Sequence, residues 1–129
     1  MTSRTLPGST AITDTSCSPN ACLRPVSIRK VQLEAGFWKT YQELIQSVTI
    51  PTQYDLLEST GRLDNFHRVS NGLDKPFQGY VFNDSDVYKW LEAASWALLD
   101  FPDHELIKKI EKVISSVCSA QADDGYINT

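Results

Sequence analysis

Hydrophobic positions along this chain recur mostly at helical spacing. Phe37, Tyr41, Leu44, Ile45 and Val48 fall on one helical face. Pro51 then interrupts that helix or begins a second, because proline suits a first turn and not an interior. The second stretch runs to about Ser59, and Gly61 is placed for a left-handed stop. From about Asp64 to Asn83 the turn formers Asn71-Gly72, Pro76 and Gly79 predict a loop of about twenty residues. Loops of that length are uncommon in compact domains and usually functional. Asp84 or Ser85 is expected to cap a helix reaching about Phe101. Val87, Trp90, Leu91, Ala94, Ala97, Leu98 and Phe101 share one side of it, while Tyr88, Trp96 and Leu99 lie elsewhere around the wheel. A helix so widely apolar expects neighbours on more than one side.

Pro102 stops that helix, and Asp103 can cap the next. There Leu106, Ile107, Ile110, Val113, Ile114, Val117 and Cys118 make one stripe, with Lys108, Lys109, Glu111 and Lys112 on the solvent side. Residues 85–121 therefore read as a single helical hairpin. Ahead of the helices, Val26, Ile28, Val31 and Leu33 predict a short extended segment with a phase slip at Arg29-Lys30. The fold class is all-α, with little or no strand.

The length of 129 residues allows at most one domain. Residues 1–24 hold nine Ser/Thr and two Pro with no apolar period, and all thirteen aromatics lie between Phe37 and Tyr126. A segment that buries so little cannot offset its ordering entropy. The expected division is a disordered tail over 1–25 and a folded part over 26–129. The first 36 residues carry four basic and two acidic side chains, and the remainder eight and fourteen. A net-negative folded part argues against nucleic acid as a partner, since phosphates require a basic face. No apolar run reaches membrane-spanning length, and no apolar signal core occurs near the start, so a cytoplasmic location is expected. Cys17, Cys22 and Cys118 make neither a disulfide framework nor a zinc pattern.

The densest polar cluster runs from Phe82 to Glu92 and places Asp84, Asp86 and Lys89 at a helix start. Helix capping and pairing with the macrodipole account for those charges without any function. A functional account adds the aromatics Phe77, Tyr80 and Phe82, whose faces can cover apolar sugar surfaces while carboxylates accept hydroxyl hydrogen bonds. Asp84 and Asp86 are a poor glycosidase pair, because helical positions two apart do not face each other. His67 and His104 have no nucleophile at a recognisable spacing and read as loop or surface histidines.

Several phrases then occur in order: Gly36-Phe37-Trp38-Lys39, Ile50-Pro51-Thr52-Gln53-Tyr54, Gly61-Arg62-Leu63-Asp64-Asn65-Phe66, Phe77-Gln78-Gly79-Tyr80-Val81-Phe82-Asn83-Asp84-Ser85-Asp86-Val87-Tyr88-Lys89-Trp90, and Asp123-Asp124-Gly125-Tyr126-Ile127-Asn128-Thr129. Over about residues 26–129 the chain resembles the N-terminal part of glycoside hydrolase family 127, the β-L-arabinofuranosidase-like enzymes. The resemblance implies part of an (α/α)6 barrel and the removal, with retention, of non-reducing-end β-L-arabinofuranosyl units. It implies an L-arabinofuranoside-type carbohydrate as the partner molecule. It also implies zinc in the full-length family, with a zinc-bound cysteine as nucleophile beside other cysteines and a glutamate. Those residues follow the last phrase in the family, and Cys17, Cys22 and Cys118 do not match them, so no catalytic residue and no metal ligand carries over. Phe82 carries over as a residue lining the sugar pocket, and Asp84, Asp86 and Lys89 as neighbours that shape it.

The hairpin 85–121 uses 37 residues, so six such pairs need roughly 220. The expectation is therefore a truncated toroid, inactive alone and able to self-associate through an uncovered face of the helix 85–101. The alternative is a stand-alone helical binding or interaction module without catalysis. Under either expectation, deleting residues 1–24 should leave helix content and solubility unchanged. A clear loss of far-ultraviolet circular-dichroism signal on that deletion would move the boundary.

Overall fold

The computed structural model describes Thr13, Thr15 and residues 17–129. Much of the tail expected to be disordered, namely residues 1–12, 14 and 16, lies outside the described residues. The chain divides into two units, Met1–Lys39 and Thr40–Thr129. In the first, Arg24 Nη1 donates to the Thr15 carbonyl at 2.8 Å. The extended segment expected over Val26–Leu33 is instead broken by a 3-10 turn at Ile28–Lys30, closed by Val31 N–H donating to the Ile28 carbonyl at 3.0 Å. That turn sits where the apolar alternation slips, and Val31 beyond it is extended.

Helix α1 (Phe37–Leu44) continues through a widened turn, Ile45–Thr49, into α2 (Ile50–Ser59). Leu44, Thr49 and Ile50 all keep right-handed helical angles, so Pro51 begins α2 without breaking the chain's course. Proline has no N–H for the carbonyl four residues back and its ring crowds that carbonyl. A π-type turn immediately ahead opens the ladder enough to accommodate it. Gly61, with φ 76°, turns the chain directly into α3 (Arg62–Ser70). This helix occupies part of the expected long loop. Leu63 and Phe66 are buried on it, a helical spacing obscured by the polar residues between them. The loop shortens to residues 71–83, and Asn71 N–H donates to the His67 carbonyl at 3.1 Å to close α3.

Helix α4 (Asp84–Ala97) ends before the expected Phe101, although turn bonds continue to that residue. Its cap also differs from expectation. Asn83 holds the cap position with no side-chain capping bond, and Asp84 is the first helical residue. Helix α5 (His104–Ser119) begins as expected, with Asp103 accepting hydrogen bonds from Glu105 N–H at 2.8 Å and Leu106 N–H at 3.2 Å. Its buried stripe is narrower than the pattern suggests: Leu106, Ile110 and Val113 are buried, while Ile114 and Cys118 are exposed.

The core gathers Ile50, Tyr54 and Leu57 from α2, Leu63 and Phe66 from α3, Val87, Trp90 and Ala94 from α4, and the α5 stripe. Helix α4 touches α2, α3 and α5, which meets the demand of its wide apolar surface. Trp90 Nε1–H is buried and donates to the Ile50 carbonyl at 3.0 Å, so the indole carries no unsatisfied donor into the core. The larger exposed apolar stripe lies elsewhere: Tyr41, Leu44, Ile45 and Val48 are exposed, whereas Trp96 of α4 is half-buried. No described helix is long and apolar enough to cross a membrane.

A polar tie joins α2 to α5. Lys112 Nζ donates to Glu58 at 2.8 Å and to the Tyr54 hydroxyl at 3.2 Å, and that hydroxyl donates to Glu58 at 2.9 Å. The hydrogen bond from Lys112, and after it that from Tyr54, holds the Glu58 carboxyl below the usual glutamate range. Its contribution is complete above the unfolded-state pKa and is lost as pH falls through the depressed native value. Lys112→Met should therefore raise the Glu58 pKa toward that of a free glutamate, as read by carbon-detected NMR titration of the carboxyl. An unchanged Glu58 titration would dissolve the tie.

Candidate functional site

The most constrained surface feature is the loop entering α4. Asn65, on the buried face of α3, donates from Nδ2 to the Gln78 carbonyl at 3.0 Å and accepts the Gln78 N–H on Oδ1 at 2.9 Å. Asn83 Nδ2 donates to the same carbonyl at 3.3 Å. Both asparagines are 1% exposed. Gly79 lies between them at φ 91°, and a Cβ there would collide with the Asn83 amide. Asn83 Oδ1 is buried with no hydrogen-bond partner among the described residues. Beyond this clamp the chain projects Tyr80, Val81 and Phe82, exposed by 72%, 86% and 62%. The rings of Tyr80 and Phe82 stack in parallel, with centroids 5.4 Å apart and planes 5° from coplanar.

The three charged residues expected to shape a sugar pocket divide between two places. Asp84 is buried and turned away from its own helix end: its two oxygens accept the Thr129 N–H at 2.6 Å and the Thr129 hydroxyl at 2.8 Å. The segment thereby fastened is itself folded, since Ala122 N–H donates to the Tyr126 carbonyl and Gly125 N–H to the Ala122 carbonyl, each at 2.9 Å. Asp86 instead pairs with Arg62 Nε at 3.0 Å, with Lys89 Nζ 3.9 Å from its other oxygen. Lys89 also donates to Ser85 Oγ at 3.2 Å.

Arg62, Asp86 and Lys89 form the polar rim of an open groove of about 540 Å³ between α2 and α4, whose apolar lining includes Leu56, Leu57, Trp90 and Ala93. The groove is large enough for a small ligand. Arg62 and Lys89 set two positive charges against the one carboxylate of Asp86, so the groove disfavours free cations. Phe82 and Asp84 are not among its lining residues.

One further cluster is structural. His67 Nε2 lies 2.9 Å from Ser116 Oγ and His67 Nδ1 lies 3.9 Å from Asp64, which places Ser, His and Asp in sequence across α3 and α5. The Ser116 hydroxyl, however, donates to the Lys112 carbonyl at 3.1 Å. The serine hydroxyl is thus engaged with the backbone of its own helix, and the set ties α3 to α5. Among the described residues no three His, Cys, Asp or Glu side chains converge to hold a metal ion, and Cys17, Cys22 and Cys118 are exposed. The described residues do not fit the zinc site implied by the family resemblance.

Among the described residues the fold is all-helical, with an aromatic loop at the start of α4. The model described as β-L-arabinofuranosidase, GH127 catalytic domain, matches residues 30–129, and the chain belongs to that family. It is 36% identical over 118 residues to the non-reducing end β-L-arabinofuranosidase of Bifidobacterium longum subsp. longum, an alignment covering 77% of this chain and 18% of that protein. A solved family 127 β-arabinofuranosidase superposes with TM-score 0.73 at 36% identity, covering 78% of this chain and 16% of its own. A β-L-arabinofuranosidase from Geobacillus stearothermophilus T6 gives TM-score 0.71 at 39% identity, with 76% and 16% covered. The chain thus spans less than a fifth of the length of these relatives, and its helices form part of an (α/α)6 barrel.

The residues that sequence reasoning missed are Arg62, Asn65, Gln78 and Asn83. Asp84→Ala should lower stability by about 1.5–3 kcal/mol, the worth of hydrogen bonds to a charged acceptor, and should release the Thr129 amide to exchange. Denaturant unfolding together with amide exchange checks this, and unaltered Thr129 protection would contradict the grip.

Proposed function

We propose that this chain forms part of the sugar-facing wall of a retaining glycoside hydrolase acting on non-reducing-end β-L-arabinofuranosyl units. The observation that carries this is the stacked Tyr80–Phe82 pair, exposed yet fixed by the buried clamp beneath it. An exposed ring face covers the apolar C–H face of a sugar. Family membership supplies the reaction class. Phe82 is the stacking residue in this reading. Asp86 and Lys89, on the groove rim, supply hydroxyl-directed contacts, and Asp84 shapes the wall by holding Thr129.

Among the described residues, neither carboxylate at the start of α4 is free to act on a glycosidic bond. A glycosidase needs two carboxyl groups flanking the bond or a nucleophile in place of one. Asp84 has both oxygens engaged by Thr129, and Asp86 is paired with Arg62. The chain is therefore expected to bind without cleaving. Titration with methyl β-L-arabinofuranoside should shift the NMR signals of Phe82 and its neighbours, and Phe82→Ala should abolish the shifts. Aryl β-L-arabinofuranosides should not be hydrolysed, with or without added zinc. Zinc-dependent turnover lost on changing Cys118 would refute the inactivity, and an absence of sugar-induced shifts would refute the wall.

A second reading, a helical interaction module without catalysis, is favoured by the exposed stripe Tyr41, Leu44, Ile45 and Val48. It requires concentration-dependent shifts on that stripe in the same spectra, whatever the sugar does.

A further inference from the structure

We propose that Asn65 is a positioning residue for this site: acting through the Gln78 main chain, it fixes the Tyr80–Phe82 tip and so sets where Phe82 meets the sugar. The inference rests on Phe82 being the sugar-stacking residue. Asn65 lies between Leu63 and Phe66 on α3, and all three are buried. Phe66 is fully buried, so the helix carrying Asn65 is a rigid base. A position serving only the core would be satisfied by an apolar side chain. Instead Asn65 commits both ends of its amide to one backbone unit thirteen residues away.

What this amide orders contributes nothing to the core, because Tyr80, Val81 and Phe82 are all exposed. Two further features act in the same direction. Asn83 reaches the same carbonyl while leaving its own Oδ1 buried and unpartnered among the described residues. Gly79 leaves the space that the Asn83 amide enters. Three residues are thus arranged around the conformation of a surface tip. Fixing an exposed ring before a ligand arrives removes the ordering cost from the binding step. Positional control of an aromatic contact is the role that accounts for this arrangement.

The test uses the intact 129-residue chain and two readouts. The first is the ligand-free ring-current shifts of Tyr80 and Phe82 with the exchange rate of the Gln78 amide; the second is the titration with methyl β-L-arabinofuranoside. Asn65→Leu removes both hydrogen bonds while keeping similar size. The expected result is ring signals moved toward free-residue positions, Gln78 exchange faster by roughly tenfold, loss of the sugar-induced Phe82 shift, and unchanged protection in α5. A role confined to fold stability would lower α5 protection and leave the ring signals of the folded molecules in place, which overturns the proposal. Should Asn65→Leu fail to fold, Asn65→Ser decides by the same criteria, since a hydroxyl cannot span both Gln78 groups. If the wild-type chain shows the ring signature but no response to the sugar, the stacking role of Phe82 fails and the sugar-positioning role of Asn65 fails with it. The variant's ligand-free ring signals still report on the clamp separately, so the two failures are told apart.

Discussion

The indole of Trp90 fixes the helical packing on which everything else is placed. Its ring lies against Tyr54, with centroids 5.1 Å apart, and its N–H is satisfied by the Ile50 carbonyl. Tryptophan brings a large apolar area into a core only if its one donor finds an acceptor there. The acceptor is at the first residue of α2, so the register of α4 against α2 is set by a directional bond as well as by shape. From that register follow the positions of Asp86 one turn earlier on α4, of Lys89 next to the indole in sequence, and of Arg62 just past the Gly61 turn. The groove between the two helices is therefore a product of core packing, with its polar residues held further by the Arg62–Asp86 pair.

The loop ahead of α4 follows a different logic. Helices satisfy their backbone internally, but the 71–83 segment must find partners for each polar group it turns inward. Asn65 and Asn83 supply them for Gln78. An asparagine amide is well suited because it presents donor and acceptor together and so pairs with both groups of a single residue. The outcome is a surface aromatic pair with a core-like foundation.

Much of the helical fold was legible along the chain, and the failures have distinct causes. Helix α5 could be read because its stripe, its lysine face and the Asp103 cap all point to one answer. Helix α3 was lost because Arg62, Asp64, Asn65, His67 and Arg68 dilute its apolar residues, and Asn65 is itself buried against the usual preference. The helix start predicts Asp84 or Ser85 as the cap, yet Asn83 holds that position and the partner of Asp84 is Thr129, a contact that local pattern cannot foresee. The clamp was illegible for the same reason: an amide pairing with a backbone thirteen residues away leaves no periodic trace. The family phrase sets Phe82, Asp86 and Lys89 side by side in sequence, whereas the structure separates them between an exposed loop tip and a groove, a division that local pattern does not carry.

The grip of Asp84 on Thr129 also bears on the order in which the chain assembles. It joins residues 45 apart, whereas the helices are built from contacts four residues apart. Closing so long a stretch costs conformational entropy that only an already compact chain has largely met. Local helices and their pairings come earlier in folding than such remote contacts. The clasp therefore belongs to the end of the process, after α4 and α5 have docked and brought residue 129 back to the start of α4. The segment 122–129 is thus a late-arriving seam, and its order at any moment reports whether the hairpin behind it is whole.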